Sequence, residues 1–383
     1  MGLWLLAGGS LKVVIVVASV NELVNVPKIL ADETMASDCE LVVIDEGESR
    51  VRARNVALLQ GVDKEFYGPR ERTDWFRKRF SERKWQSLQS VIPDRCHAET
   101  SFGFLVAFEN GADVIVEIDD DVNQFKGEPM LTSHVWNLSD SEALRVNSPS
   151  RWYNTLDNLV LGTNFPIWPR GHPYSPDTRT EMPYSEMRDA GESVLNMGLW
   201  AGDPDLDAQT ILEFGGLDGK STVKSAGLKH RRILLDKGTY FALCSMNTAF
   251  RAKIVPGFYQ LYMKQYGIDR FDDIWSGIFL KKITDHLGDN ISLGAPLAFH
   301  DKRPRDVHKD VDAEMHGIAI NETLWRIVDS LELDGKDYYQ CYDSLVNGLE
   351  DRLDLFGDPL HNKFMRLQVE KQRLWLNVVD KIT

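Results

Sequence analysis

The sequence predicts an α/β fold with a Rossmann-like, mostly parallel sheet. Two segments, residues 12–19 and 40–45, are almost continuously apolar and rich in β-branched side chains, which is typical of strands covered on both faces in a parallel sheet. A third such segment, residues 113–118, follows an amphipathic stretch at 100–110. Strand, helix and strand in this order predict a doubly wound sheet.

The ends of the predicted elements are marked by capping and turn residues. Asn21 follows the first strand and can cap the next helix, and Gly111 ends the helix at 100–110.

Residues 125–240 lose the periodicity and accumulate Pro, Gly, Trp and Asp, so we expect long loops laid over the sheet rather than a second core. Residues 1–10 have a short apolar run without a basic segment. We interpret them as a lead-in to the first strand rather than a signal sequence.

Helical patterns dominate the last part of the chain. Residues 273–287 present one apolar face, with Asp272 at the N-cap position and Gly288 directly after the helix. Beyond about residue 306, Leu, Trp and Val recur at helical spacing. We therefore predict a C-terminal helical extension at 306–383, behind a main α/β domain at 11–305.

Composition and charge exclude several classes of protein. The 383 residues include 44 Lys and Arg against 58 Asp and Glu, a formal net charge of −14, which would not attract nucleic acid or an anionic membrane. No stretch has the roughly 20 apolar residues of a membrane helix, so we expect a soluble protein. Residues 18–23 contain no glycine, which disfavours a nicotinamide-dependent enzyme. The cysteines show no Cys-x-x-Cys spacing, which favours a reducing, cytoplasmic location: Cys39, Cys96, Cys244 and Cys341.

Three consecutive carboxylates follow the third predicted strand: Asp119, Asp120 and Asp121. The carboxyl ends of strands are where open α/β sheets bind ligands. Three like charges repel one another unless a cation neutralises them, and Mg²⁺ or Mn²⁺ binds one or two carboxylates together with substrate phosphates. The pattern therefore favours a metal site over its alternative, a solvated acidic turn.

His300 ends another apolar stretch, at residues 295–299, and basic residues follow it at Lys302, Arg303 and Arg305. A lone histidine is more often a structural residue than a metal ligand. At the end of a strand and beside cations it becomes a candidate second metal ligand, while the arginines offer bidentate contacts to a diphosphate.

Several loop residues are candidates for binding or transforming a sugar. Asp272 and Asp273 open the helix at 273–287, where one carboxylate can cap the helix and the other can hold a hydroxyl or act as a base. Arg170 lies among turn formers and, taken alone, is typical of a surface residue. Trp200, with Asp205 and Asp207 after it, could stack on a sugar and bind its hydroxyls; the alternative is a loop anchored by a buried indole.

Taken together and in order, these segments resemble the reversibly glycosylated polypeptide family, whose plant members are UDP-arabinopyranose mutases. The resemblance covers residues 95–305. Its motifs are Glu117-Ile-Asp-Asp-Asp121, Pro169-Arg-Gly-His-Pro-Tyr-Ser175, Gly198-Leu-Trp200 with Pro204-Asp-x-Asp-Ala208, Lys237-Gly-Thr-x-Phe241 with Cys244-x-Met-Asn247, and Arg270-Phe-Asp-Asp-x-Trp-x-Gly277.

The resemblance implies a GT-A glycosyltransferase type of fold, with residues 11–305 as the nucleotide-sugar-binding catalytic domain. It also implies a UDP-sugar ligand, with Mn²⁺ or Mg²⁺ at the aspartate triplet. Arg170 matches the arginine that carries a covalently attached sugar in the family, and His300 looks like the family's histidine after the last core strand. Asp45, by analogy of architecture alone, is placed to contact the uracil.

Three functions stay open at this stage. The first is a mutase-like interconversion of pyranose and furanose forms of a UDP-sugar, with self-glycosylation at Arg170 as one variant. The second is transfer of the sugar to a separate small-molecule or glycan acceptor, and the third is a noncatalytic partner subunit that binds a UDP-sugar. Assembly into a homo-oligomer also stays open.

Overall fold

A computed structural model of the chain describes residues 11–31, 33, 39–163, 165–179, 183–300 and 302–383. The predicted lead-in at residues 1–10 lies outside the described residues. No helix in the described ranges is both long and apolar enough to cross a membrane.

The first half of the sheet is wholly parallel. Its strands are β1 (Val13–Ser19), β2 (Cys39–Asp45), β3 (Lys64–Tyr67) and β4 (Val114–Ile118). They lie in the order β3-β2-β1-β4, and nearly every side chain of β1, β2 and β4 is buried. This order is that of a doubly wound Rossmann-like sheet. The predicted α/β class is therefore confirmed, and the three predicted strands are present within one residue of their expected bounds.

The second half of the sheet is mixed. Its strands continue from β4 in the order β12-β9-β13-β11-β6-β8. Their bounds are Ser141–Asn147 for β6, Ser185–Gly191 for β8, Leu195–Gly202 for β9, Arg232–Leu235 for β11, Asn247–Arg251 for β12 and Ile291–His300 for β13.

Across the described sheet, β6, β11 and β12 run opposite to the other strands of the main path. Most strands therefore point one way, as predicted. Three short strands pair beside the path: β5 (Val122–Gln124), β7 (Leu159–Leu161) and β10 (Ser225–Leu228).

The expectation of long loops over residues 125–240 is only partly correct: the described residues between β7 and β8 belong to no helix or strand, but much of the rest is part of the sheet. This region supplies β6 to β11, and β9 lies at the centre of the sheet between β12 and β13. Irregular connections separate its strands, and the composition of these connections masks the periodicity of the strands. Local composition is a weak guide where tertiary pairing decides the strand.

Helices cover the sheet and complete the chain. Within the main part these are α1 (Val26–Ala31), α2 (Ser49–Leu58), α3 (Pro69–Arg79), α4 (Trp85–Gln89), α5 (Thr100–Glu109), α6 (Met130–Leu138), α7 (Ala208–Glu213) and α8 (Asp272–Leu287). The C-terminal helices are α9 (Val307–Ser330), α10 (Tyr338–Glu350) and α11 (Pro359–Ile382).

The C-terminal helices pack on the main α/β part through buried side chains. Trp375 of α11 stacks on Tyr259 with ring centroids 5.1 Å apart, and its indole N–H donates to Pro256 O at 3.2 Å. On α9, Gly317 lies so close to Phe271 that an added Cβ would come within 2.3 Å of the ring. The division into two domains at residue 306 stays a prediction, because these contacts join the two parts of the chain.

Candidate active site

A cavity of about 950 Å³ opens at the carboxyl ends of β1, β2 and β4. Ligand pockets of enzymes typically have volumes of roughly 300–1,000 Å³. Loops from the second half of the sheet close its other side. The predicted site residues that line it are Asp119, Asp120, Asp121, Arg170, Asp205, Asp272, Asp273, His300, Lys302 and Arg303.

Asp120 is fixed by side chains from the neighbouring strand end. Its carboxylate accepts hydrogen bonds from the Ser19 hydroxyl and from Asn21 Nδ2, the latter at 2.9 Å. Arg303 Nη2 lies 3.4 Å from the other carboxylate oxygen. Asp120 thus joins the end of β1 to the basic segment after β13.

Asp119 and Asp121 differ in how well nearby cations offset their charge. Burial raises the pKa of Asp119 to about 7, and the Asp121 and Asp120 carboxylates contribute to this rise while His97 and His300 oppose it. Burial also acts on Asp121, but His300 and Arg303 hold its pKa below the usual range. His300 Nε2 lies 3.7 Å from Asp121 Oδ2, since β13 pairs with β5 directly after the triplet.

These residues suit a hard divalent cation. His300 Nδ1 is buried without a hydrogen-bond partner, and two carboxylates that repel each other face the same cavity. Among the described residues, no group of three or more His, Cys, Asp or Glu side chains is already arranged as a metal site. Mg²⁺ commonly takes only one or two protein carboxylates and completes its shell with substrate phosphates and water, so the donor set fits such an ion.

Arg170 lines the same cavity as the triplet and is held by several partners. Its Nε and Nη2 donate to Asp205 at distances of 2.9–3.2 Å, and its Nη1 and Nη2 lie 3.3–3.4 Å from the Asp273 carboxylate. The carbonyl oxygen of Arg270 accepts a further bond from Nη1. Burial lowers the pKa of Arg170, but Asp205 and Asp273 raise it well above the usual value.

The local backbone explains why Arg170 can reach this position. Gly171 has φ +87, and a Cβ there would come within 2.6 Å of Ile274, so only glycine lets the loop approach α8 this closely. The Arg170 amide donates to Asp205 O at 2.9 Å. The loop and the Asp205 segment are therefore joined through both backbone and side chain.

The carboxylates at the start of α8 differ in their partners. The prediction of Asp272 as the N-cap is wrong, because α8 begins at Asp272 with Phe271 as its N-cap. Asp272 Oδ2 instead lies 2.6 Å from His97 Nδ1. Burial raises the pKa of Asp272, but His97 lowers it below the usual value overall. Burial raises the pKa of Asp273, despite the opposing effect of Arg170.

Basic residues fill the end of the cavity near α9. Burial lowers the pKa of Lys302 to about 8, and its charged neighbours include Asp205, Arg270 and Arg305. Arg270 has a left-handed backbone with φ 69, and its side chain pairs with Glu314 of α9. A non-glycine residue held at such a φ is unusual and often marks a functional site.

Three predicted binding residues do not line the cavity. Trp200 is fully buried in β9, flanked by β12 and β13, so the indole cannot stack on a sugar. Asp207 caps α7 through Thr210 N at 2.7 Å. Asp45 is 3% exposed and accepts from Gly47 N at 3.1 Å, while Glu46 and Gly47 beside it line the cavity.

Sequence reasoning missed several residues of the cavity. His97 and Arg95 come from the segment before α5, and Lys264 from a loop before α8. Arg95 and Lys264 have φ values of 56 and 67, which no sequence pattern indicates. Arg270 lies within one of the family motifs, yet only the fold brings it against Arg170.

Comparison with known proteins identifies relatives along almost the whole chain. The profile of the family described as "Reversibly glycosylated polypeptide" matches residues 10–379. UDP-arabinopyranose mutase 1 of Arabidopsis thaliana is 27% identical over 352 residues, covering 89% of this chain and 85% of the relative. A probable UDP-arabinopyranose mutase 2 of Solanum tuberosum is 29% identical over 303 residues, covering 76% of this chain and 73% of the relative.

Glucosyl-3-phosphoglycerate synthase from Mycobacterium tuberculosis, in complex with Mn²⁺, UDP and phosphoglyceric acid, aligns with a TM-score of 0.40 at 13% sequence identity. The alignment covers 85% of this chain and 81% of that structure.

Proposed function

The chain belongs to the reversibly glycosylated polypeptide family, and from that premise we propose that it is a GT-A-type enzyme that interconverts the pyranose and furanose forms of a UDP-sugar. One observation carries the proposal. A single cavity holds an aspartate triplet at a strand end and a buried arginine between two carboxylates. UDP-arabinopyranose is the first substrate to test, because the relatives carry that name.

In this proposal Asp119 and Asp121, with His300 beside them, hold Mn²⁺ or Mg²⁺. When bound, the ion neutralises charge that develops on the departing diphosphate. Asp120 keeps Ser19, Asn21 and the Arg303 segment in place around the nucleotide. Lys302 and Arg303 supply positive charge toward the phosphates.

The sugar would lie between the triplet and Arg170. The bond between the anomeric carbon and UDP breaks and re-forms. Between these events the bond from the anomeric carbon to the old ring oxygen breaks, and a bond from the anomeric carbon to a different sugar hydroxyl oxygen forms. The old ring oxygen gains a proton and that hydroxyl loses one, so the reaction consumes nothing. Asp273, whose pKa is raised by burial, and the Asp272–His97 pair border this space and are the proton carriers we assign.

Arg170 has two chemical roles within this proposal. As a cation it fixes Asp205 and Asp273 and stabilises negative charge on the departing group. As a nucleophile it would form a bond from a guanidinium nitrogen to the anomeric carbon, release UDP and pass a proton to Asp273. A protonated guanidinium is a poor nucleophile, and the raised pKa of Arg170 favours the first role.

Two other functions use the same cavity. A glycosyltransferase would pass the sugar to a separate acceptor and release UDP, whereas a noncatalytic subunit would bind the UDP-sugar without turnover. For its location we propose the cytoplasm, supported by the free, buried thiols of Cys96, Cys244 and Cys341. Disulfides are rare in reducing compartments.

The first experiment incubates the protein with Mn²⁺ and a panel of UDP-sugars. Chromatography follows the small molecules and mass spectrometry follows the intact protein. Asp119→Asn and Arg170→Ala are compared with Asp312→Asn, a matched change of an exposed aspartate on α9.

The mutase proposal expects a new UDP-sugar isomer without net UDP release, lost in Asp119→Asn and Arg170→Ala but kept in Asp312→Asn. A pentose-sized mass increase that disappears in Arg170→Ala would assign the covalent role. UDP release that requires an added acceptor would make the protein a transferase. Binding without turnover would favour the noncatalytic subunit, and no binding of any UDP-sugar would contradict all three.

A further inference from the structure

Helix α9 reaches the Arg170 loop with polar side chains, although it lies in the C-terminal part of the chain. Asn321 Nδ2 donates to Gly171 O at 3.0 Å, and Asn321 Oδ1 accepts from Trp275 Nε1 at 3.1 Å. One buried amide thus joins the backbone next to Arg170 to the first turns of α8. Because Asn321 is 2% exposed, water cannot replace either bond.

A second side chain of α9 holds the two segments that carry the partners of Arg170. Glu314 Oε2 accepts from Ala208 N at 2.6 Å, at the start of α7. Its Oε1 accepts from the side chain of Arg270, whose carbonyl oxygen binds Arg170. Glu314 is 1% exposed.

Simple packing does not account for these residues. Burial of a charged group is costly unless it is paired and hydrogen-bonded, and apolar side chains of similar volume often stabilise a protein equally well. The backbone before α8 supports a positioning role. Arg270 is held at φ 69, and Asp269 N donates to Ala313 O of α9 at 3.1 Å.

We propose that α9 is a positioning element of the active site, in which Glu314 and Asn321 set the place of the Arg170 guanidinium by holding the backbone around it. Neither residue lines the cavity, so they act through Arg270, Gly171 and the start of α7. The expected effect of these residues on turnover rests on the proposed function. Their effect on the position of Arg170 does not.

The test uses Glu314→Gln and Asn321→Leu, which nearly keep side-chain size, with Asp312→Asn on the exposed side of α9 as the control. Hydrogen exchange measured by mass spectrometry follows the Arg170 amide. This amide donates to Asp205 O, so neither substitution removes its hydrogen-bond partner. Exchange in peptides of β1 and β4 reports the stability of the whole fold, and steady-state kinetics separates kcat from KM.

We expect exchange at residues 168–173 to accelerate at least about tenfold in both variants while β1 and β4 stay protected. We also expect kcat to fall roughly 10-fold to 100-fold, as for a misplaced catalytic group, with KM nearly unchanged. Asp312→Asn should match the wild type in both measurements.

Two results would overturn the inference. Unchanged exchange around Arg170 would show that α9 does not hold the loop, and an equal loss of protection in β1 and β4 would make the residues supports of the whole fold. If the wild type converts no UDP-sugar, the proposed function fails, and the exchange data alone then decide whether α9 positions Arg170.

Discussion

The two sides of the cavity handle charge in opposite ways. One side, which we call the triplet side, is formed by Asp119, Asp120, Asp121 and His300. Here neighbouring carboxylates contribute to the raised pKa of Asp119, and His300 Nδ1 has no hydrogen-bond partner. On the side we call the arginine side, formed by Arg170, Asp205, Arg270 and Asp273 and supported from outside the cavity by Glu314, every carboxylate is paired with an arginine.

This difference shows which side is prepared for a charged ligand. The arginine side carries its own countercharges, so it can be rigid before any substrate arrives. On the triplet side the charge of Asp119 is electrostatically unfavourable by itself, and a cation with a diphosphate would relieve it. Substitutions on the two sides should therefore affect stability and activity differently.

The largest effect is expected for Arg170→Met. The substitution leaves Asp205 and Asp273 buried without the guanidinium that pairs with both of them, and breaking a buried pair in this way costs about 3–5 kcal/mol. Arg373→Met removes the exposed pair with Glu350 and should cost less than about 1 kcal/mol. Urea unfolding measures both free energies of unfolding, and equal losses in the two variants would contradict the comparison.

Asp119→Asn should reduce activity without reducing stability. Loss of one charged group that supports the transition state commonly lowers kcat on the order of 10²–10³-fold. The unfolding free energy should be unchanged or higher, since the substitution removes a carboxylate whose pKa burial raises to about 7. Asp312→Asn is the matched control in the same assays. A clear loss of stability in Asp119→Asn would mean that the triplet is a structural network.

Added Mn²⁺ should stabilise the wild type through the triplet side. A ligand at 100 times its Kd contributes about 2.7 kcal/mol to the unfolding free energy. The effect should vanish with EDTA and in Asp119→Asn, but persist in Asp312→Asn. Thermal unfolding with and without Mn²⁺ measures this stabilisation. An equal rise of the unfolding temperature in Asp119→Asn and Asp312→Asn would place the ion elsewhere.

The smallest effect concerns the ion pair between His97 and Asp272. Burial lowers the pKa of His97, but Asp272 raises it well above 6.5 overall. The stability from a raised histidine pKa is fully present below about pH 6.5 and is lost as pH rises through the folded value. The stability advantage of wild type over His97→Asn should therefore shrink between about pH 6 and pH 9. Thermal unfolding across this range measures it, and an advantage that grows with pH would rule out the pair.

The same contrast explains what the sequence could predict. The triplet side follows regular strands, so the apolar runs of β1, β2 and β4 are enough to place Asp119–Asp121 at the sheet edge. His300 is found in the same way, as the last residue of β13.

The arginine side could be predicted only in part. Arg170 is singled out by a family resemblance, and its pairing with Asp205 across irregular loops follows no sequence period. The stacking role predicted for Trp200 is wrong. Without knowledge of the neighbouring strands, the sequence does not distinguish a tryptophan in a central strand from one in a loop. The contacts of Glu314 with Ala208 and of Asn321 with Gly171 join residues more than 100 positions apart, and such separations leave no local pattern.

Calorimetric titration of UDP tests the central claim most directly, because it asks whether the triplet side needs a cation to accept a diphosphate. The account predicts UDP binding to the wild type with Mn²⁺, a strongly weakened affinity in EDTA, and a matching loss in Asp119→Asn but not in Asp312→Asn. Equal UDP affinity with Mn²⁺ and with EDTA, kept in Asp119→Asn, would contradict it.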